Sequence, residues 1–221
     1  MQINTYSERN THNTHDLSAI PYAASLGCVI MASGLGKRFG GNKLMADFNG
    51  EPLLCRALAA TEGYFSHRVV VTRHADVAAL CHALNIEVIL HDRPYRSDTV
   101  RLGLSAITAA NDIIDGCLFC PGDQPLLRRE TIERLIQTFL INKNTIVRPS
   151  FDNTPGAPVL FPHWAFSELL ALPEGKGGGF VAKKYPERVH LISVRDQYEL
   201  KDVDTPEDLL YLEDLVRLYK Q

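Results

Sequence analysis

The sequence lacks any apolar run long enough to cross a bilayer. The longest stretches, such as Cys28 to Ala32, fall far short of the ~20 residues that a spanning helix needs. It has no marked excess of either charge: 23 Lys and Arg stand against 26 Asp and Glu, a net of −3. That balance gives no sign of a nucleic-acid coat or a polybasic membrane anchor, so neither nucleic acid nor membrane is expected as a partner. No apolar core of signal-peptide length occurs near the start. Met1 to Asp16 are polar and rich in Asn, Thr and His, and a cytoplasmic location is expected. A disulfide framework is missing too. Cys28, Cys55, Cys81, Cys117 and Cys120 are odd in number and scattered, as free thiols in a reducing compartment would be. Cys117 and Cys120 have CxxC spacing, but they lie in an apolar run that reads as a strand, where two sulfurs so spaced face opposite sides. No second CxxC completes a zinc site. The eight histidines are scattered, two of them (His12 and His15) in the polar leading segment, and none is expected to be a catalyst.

What is present is ordinary globular composition: 221 residues, 45% hydrophobic and 22% charged, enough to bury a core. Residues 1–24 are expected to form a flexible tail, and 25–221 a single domain. From Gly27 onward short apolar runs alternate with helical patterns. Strands are expected at Gly27–Ala32, Arg68–Thr72, Ile86–Leu90, Gly116–Cys120 and Thr145–Arg148. Helices are expected at Glu51–Thr61 (Pro52 in its first turn), Asp76–Ala83, Asp98–Ala110 and Glu130–Leu140. Farther on, Ala157–Phe161 and Val189–Ser193 read as strands, and Phe161–Leu172 and Thr205–Leu218 as helices. Strands separated by helices imply βαβ units, a mostly parallel sheet and a doubly wound three-layer α/β/α sandwich. Ligands of such sheets sit outside the carboxyl ends of the strands, so function is to be sought in the loops that leave them.

Three of those segments are chemically unusual. Ala32-Ser33-Gly34-Leu35-Gly36-Lys37-Arg38-Phe39-Gly40-Gly41-Asn42-Lys43 follows the first strand with four glycines and three cations. Glycines let backbone N–H groups approach an anion, and Lys and Arg add charge and donors, which together make a polyphosphate cradle. It is not a P-loop, because Asn42 stands where the lysine should be. It is not the dinucleotide fingerprint, because the third glycine comes one residue late, at Gly40. The plainer alternative is a glycine-rich turn with solvated cations. Pro121-Gly122-Asp123-Gln124-Pro125 follows the fourth strand and sets a carboxylate where a divalent cation could be held; an Asx turn is the alternative. Lys201-Asp202-Val203-Asp204-Thr205-Pro206-Glu207-Asp208-Leu209 opens a helix with Thr205 as cap, Pro206 at the first position and acids in the first turn. Asp202 and Asp204 alternate just before that cap and need not serve the helix.

A first strand followed by (A/S)GxGxRxGxxK resembles the MobA-like NTP transferases, and is similar above all to molybdenum cofactor cytidylyltransferases. The GDQP segment and the DxDTPxDL segment resemble theirs in order and spacing. This resemblance implies that Ala32, Ser33, Gly34, Leu35, Gly36, Lys37, Arg38, Lys43, Thr99 and Asp123 bind nucleotide, the first three against base and sugar. It implies that Arg38 and Lys43 neutralise the triphosphate, and that Asp123 and Asp204 hold Mg²⁺. The implied reaction joins CMP from CTP to the terminal phosphate of a molybdopterin-type cofactor and releases pyrophosphate. The acceptor phosphate is anionic near neutral pH and needs no general base. A recipient molybdoenzyme or its chaperone is the implied partner. Residues 25–125 would form the nucleotide part and 126–221 the acceptor part.

The resemblance has departures. Arg96 to Leu104 is closer in form to cytidylyltransferases of isoprenoid precursors. Ala157 stands where the family has His or Asn, and Lys176 where it has an acid; Lys176 is either a phosphate ligand or a solvated loop lysine. Two alternatives therefore remain: a transferase of the same fold using GTP or a sugar or alcohol phosphate, and a nucleotide-binding accessory protein without catalysis.

Overall fold

A computed structural model of the chain describes residues 25–110 and 114–219; the tail expected over 1–24 lies outside the described residues. Among the described residues ten strands and seven α-helices follow one another as β1 (Leu26–Ala32), β2 (Asp47–Phe48), β3 (Glu51–Pro52), α1 (Leu53–Ala60), β4 (His67–Thr72), α2 (Ala75–Ala83), β5 (Glu87–Leu90), α3 (Arg96–Ala110), β6 (Gly116–Pro121), α4 (Arg129–Ile141), β7 (Ile146–Phe151), β8 (Thr154–Pro155), β9 (Val159–Pro162), α5 (Phe166–Leu170), α6 (Gly178–Lys184), β10 (Val189–Ser193) and α7 (Pro206–Tyr219). The main sheet runs β10-β7-β9-β6-β1-β4-β5, with β8 paired to β7. It is parallel at β10–β7, β6–β1, β1–β4 and β4–β5, and antiparallel only where β9 is inserted between β6 and β7 and where β8 turns back on β7.

Strand alternation builds the two cores. In β1, Cys28, Ile30 and Ala32 point into one layer, with Leu54 and Ala57 of α1, Val77 and Cys81 of α2, and Ile132, Leu135 and Phe139 of α4. Val29 points into the other, with Val100, Leu104 and Ile107 of α3, Phe166 and Leu169 of α5, and Val181 of α6. This is the three-layer sandwich that the alternating pattern implies. The cysteines obey the same rule: Cys120 lies in the first layer and Cys117 in the second, both fully buried, so the CxxC spacing makes no metal pair. Burial pushes the Cys120 thiol up to about 12. No helix among the described residues is long and apolar enough to cross a membrane.

Several element boundaries differ from the sequence reading. Pro52 is extended, with φ −55° and ψ 137°, and closes the β2–β3 hairpin, so α1 begins one residue after it rather than around it. Phe161 belongs to β9, because Pro162 holds it out of the helical region, and a 3-10 turn over His163–Ala165 leads into α5 at Phe166. The strand expected to end at Arg148 continues to Phe151 and turns back through Asp152 and Asn153, both at positive φ, into β8.

A third, small core of Phe48, Leu53, Val203 and Leu212 seats α7 against the β2–β3 hairpin. The start of α7 is a reciprocal capping box. The Asp208 amide donates to Thr205 Oγ1 at 3.2 Å, while Asp208 Oδ2 accepts from the Thr205 amide at 3.0 Å and the Asp204 amide at 3.1 Å. Lys201 Nζ stands 2.8 Å from the other oxygen, and it is foremost this contact, helped by the two amides, that lowers the Asp208 carboxyl to about 2. A carboxyl held below its unfolded value stabilises the fold above that value and loses the contribution as pH falls through the folded one. Asp208→Asn is therefore expected to remove up to about 2 kcal/mol at neutral pH. It should also flatten the loss of stability between about pH 4 and pH 2, read by urea titration. Equal pH profiles for wild type and variant would contradict the assignment.

Candidate active site

The parallel register brings four loops to one edge. Ala32, the last residue of β1, is level with Thr72 of β4, and Thr72 with Leu90 of β5; Met31 is level with Pro121 of β6. The glycine loop, the turns after β4 and β5, and the Pro121–Pro125 turn thus open together onto a cleft of ≈ 670 Å³, a size suited to a small-molecule ligand. Its lining includes Ser33, Gly34, Leu35, Arg38, Thr99, Asp123 and Asp204 from the expected set. Ala32 is fully buried beneath it, while Gly36 and Lys37 do not line it.

The glycine loop has its own mechanical logic. Gly36 sits at φ +57°, and a Cβ there would lie 2.0 Å from the Gly41 carbonyl oxygen, so the turn requires glycine. Gly34 has no neighbour within 4 Å of a notional Cβ. Nothing among the described residues demands a glycine at that position, and the space belongs to the cleft.

Lys43 lies under the cleft and joins three segments. Its Nζ is 2.6 Å from Asp123 Oδ2 and 3.4 Å from Asp204 Oδ1, and it donates to the Val203 carbonyl at 2.5 Å. Burial pulls its ammonium down, but Asp123 and Asp204 outweigh that and hold it above its ordinary value. Arg38 Nη2 reaches Asp204 Oδ2 at 2.9 Å from the rim. The Val203 amide donates to the Asp123 carbonyl at 2.9 Å. Val203 is fully buried, so the alternation of an extended segment turns Asp202 and Asp204 outward to the cleft. The residues expected to work together, Arg38, Lys43, Asp123 and Asp204, are thus in direct contact.

Four further residues, Gln124 and Asp202 of the two acidic segments together with His74 and His91, had been given no role from the sequence. Gln124, only 3% exposed, donates through Nε2 to the Leu200 carbonyl (3.1 Å) and to Asp202 Oδ1 (2.9 Å). Asp202 opens on the cleft, yet the surrounding protein mass, and after it Asp123, raise its carboxyl. His91 Nε2 lies 2.9 Å from Ser33 Oγ, while Ser33 itself donates to the Val71 carbonyl at 2.9 Å. His91 Nδ1 accepts from the Arg93 amide, which leaves the ring proton on Nε2 and makes the imidazole neutral. Burial, and then Arg73, lower its pKa in the same sense. His74 Nε2 stands 2.8 Å from the Gly34 carbonyl oxygen. Two histidines thus fix the orientation of the glycine loop. A histidine one or two residues past a strand end was the available signal, at His74 and His91.

The chain belongs to the MobA-like NTP transferase domain family, whose model matches residues 28–189. It is 30% identical over 101 residues to a 3-deoxy-manno-octulosonate cytidylyltransferase of Neisseria meningitidis serogroup B, which covers 45% of this chain and 40% of that protein. It is 27% identical over 143 residues to a probable molybdenum cofactor guanylyltransferase of Thermococcus gammatolerans, covering 64% of this chain and 69% of the other. The match therefore spans less than half of the cytidylyltransferase. The fold is shared with the crystal structure of Rv0371c from Mycobacterium tuberculosis, at a TM-score of 0.73 and 21% identity over 87% of this chain and 99% of the other.

Removing the ammonium should leave Asp123 and Asp204 facing each other in a half-buried site. Lys43→Ala is expected to lower the unfolding free energy by about 2 kcal/mol. Combining it with Asp123→Asn should restore part of that loss. A single-variant change within about 0.5 kcal/mol, the range of an ordinary surface position, would show that Lys43 does not hold the segments together.

Proposed function

We propose that the protein is a nucleotidyltransferase that moves CMP from CTP to a molybdopterin-type acceptor and releases pyrophosphate. The observation that carries the reading is the contact of Lys43 with both Asp123 and Asp204 at the floor of a cleft whose rim is the glycine loop. The nucleotide end is formed by residues before 126 and the acceptor end largely by residues after it. Arg38 and Lys43 neutralise the triphosphate, and the loop amides, held by His74 and His91, are aimed at its oxygens. Ser33, Gly34 and Leu35, with Ala32 beneath them, flank base and sugar; Gly36 and Lys37 set the turn and the outer charge, and Thr99, at the start of α3, faces the ribose.

Asp123 and Asp204 fit a hard divalent cation, because their carboxylates already converge on one cationic atom, Lys43 Nζ. Among the described residues no group of three or more His, Cys, Asp or Glu could hold a metal. That poverty of protein ligands suits Mg²⁺, which takes one or two carboxylates and completes its shell with phosphate oxygens and water. When bound there, the ion supplies charge neutralisation to the triphosphate. The acceptor phosphate attacks as an anion, so the residues need only orient it in line with the leaving pyrophosphate.

The kinship with a sugar-acid cytidylyltransferase supports a second reading, in which the fold serves a sugar acid or sugar phosphate. The guanylyltransferase relative favours GTP as the alternative nucleotide. Pyrophosphate release with Mg²⁺, each of four NTPs, and molybdenum-loaded molybdopterin is the deciding assay. Release only with CTP and the cofactor is expected. Release with GTP would overturn the base assignment, and release only with sugar acids or sugar phosphates would overturn the acceptor. In the productive combination Asp123→Asn should lower kcat by about 10²–10³-fold. Full turnover of that variant would remove Asp123 from the site.

A further inference from the structure

The β7 side of the cleft holds a cation without a counter-charge among the described residues. Arg148, half-buried in the middle of β7, directs Nε and Nη2 to one acceptor, the Gly156 carbonyl, at 2.9 Å and 2.5 Å. A guanidinium has five N–H donors, so the two on Nη1 and the outer one on Nη2 find no partner among the described residues. Among the described residues no carboxylate lies within ion-pair distance of it, whereas Lys43 and Arg38, which meet Asp123 and Asp204, are both paired. Burial pulls the Arg148 guanidinium down from its ordinary range. Partly buried charges are costly unless paired, and an unpaired one in a ligand cleft implies that the ligand brings the partner.

The wall is built to keep Arg148 in place. A Cβ on Gly156 would come 2.7 Å from Leu200 Cδ1, so the carbonyl that fixes the guanidinium is itself pinned by Leu200. Leu200 in turn accepts from the buried Gln124. Ala157, next to Gly156, presents only a methyl group and leaves the fork open to the cleft. Arg96, at the start of α3, lines the same cleft, has no carboxylate partner among the described residues, and is backed by Gly177, whose Cβ would meet Arg96 Nε at 2.9 Å. Lys176, the loop cation singled out from sequence, is exposed and does not line the cleft.

We propose that Arg148, seconded by Arg96, is an oxyanion-binding subsite that selects an acceptor carrying a phosphate or carboxylate group. This rests on the transferase reading above for the word acceptor, but the subsite itself is tested without turnover. Inorganic phosphate and acetate are titrated calorimetrically, at constant ionic strength, into wild type, Arg148→Met and Arg148→Lys. Anion held by the glycine loop is common to all three and cancels in the comparison. Phosphate or acetate affinity should fall by about tenfold or more in Arg148→Met, and Arg148→Lys, which keeps the charge and loses the fork, should fall between. Matching thermal melts show that the variants are folded. The better-bound of the two anions assigns the acceptor group as phosphate or carboxylate. Equal affinities in wild type and Arg148→Met, or no anion binding by wild type, would overturn the subsite. In the transfer assay Arg148→Met should raise KM for the acceptor while leaving KM for the NTP unchanged, and the reverse pattern would also overturn it. Anion binding that depends on Arg148 in a protein with no transferase turnover would refute the reaction and leave the subsite standing.

Discussion

The ammonium of Lys43 is the point on which the rest of the site depends. It reaches a turn after β6 through Asp123, and the segment before α7 through Asp204 and the Val203 carbonyl, while its own backbone belongs to the end of the glycine loop. Three stretches of chain far apart in sequence are thereby held around one cation. Two carboxylates facing each other at that depth would repel, and one ammonium resolves the conflict.

The fold supplies this convergence through registry. β1, β4, β5 and β6 are parallel and end level with one another, so their loops leave at one edge. β9 is antiparallel and enters from that edge, so Gly156 and Ala157 stand beside Arg148 instead of on the far side. The cleft therefore has two chemically different ends. One is glycine-rich and braced by histidines, and the other is a wall of β-structure carrying a guanidinium that no carboxylate among the described residues compensates.

Much of this was legible in the sequence, for physical reasons. Strands buried on both faces read as continuous apolar runs, which is why β1, β4 and β6 were found with nearly correct ends. Thr205-Pro206 followed by acids announced the cap of α7, and the structure adds that Asp208 completes it. The segments carrying Lys43, Asp123 and Asp204 stood out because glycines with cations, and acids at a strand end or ahead of a helix cap, are more than a turn or a cap by itself requires. What escaped depends on tertiary contact. α6 opens with two glycines, which disfavour a helix locally, yet Val181 and Ala182 pay their way in the second core layer. β9 shows no direction in its composition; only the Asp152–Asn153 turn hints at a reversal. Arg148, His74 and His91 are ordinary residues in ordinary strands and turns, and their meaning lies in what stands opposite.

The central claim is that Asp123 and Asp204, two carboxylates now sharing Lys43, form one cation site that works with a nucleotide. The most direct test is binding of Mn²⁺, used as a paramagnetic probe, in the presence of CTP, measured for wild type, Asp123→Asn and Asp204→Asn. The account predicts a nucleotide-dependent site in wild type that each substitution weakens by itself. Undiminished Mn²⁺ binding by Asp204→Asn would contradict it, because the segment before α7 would then have no part in the site.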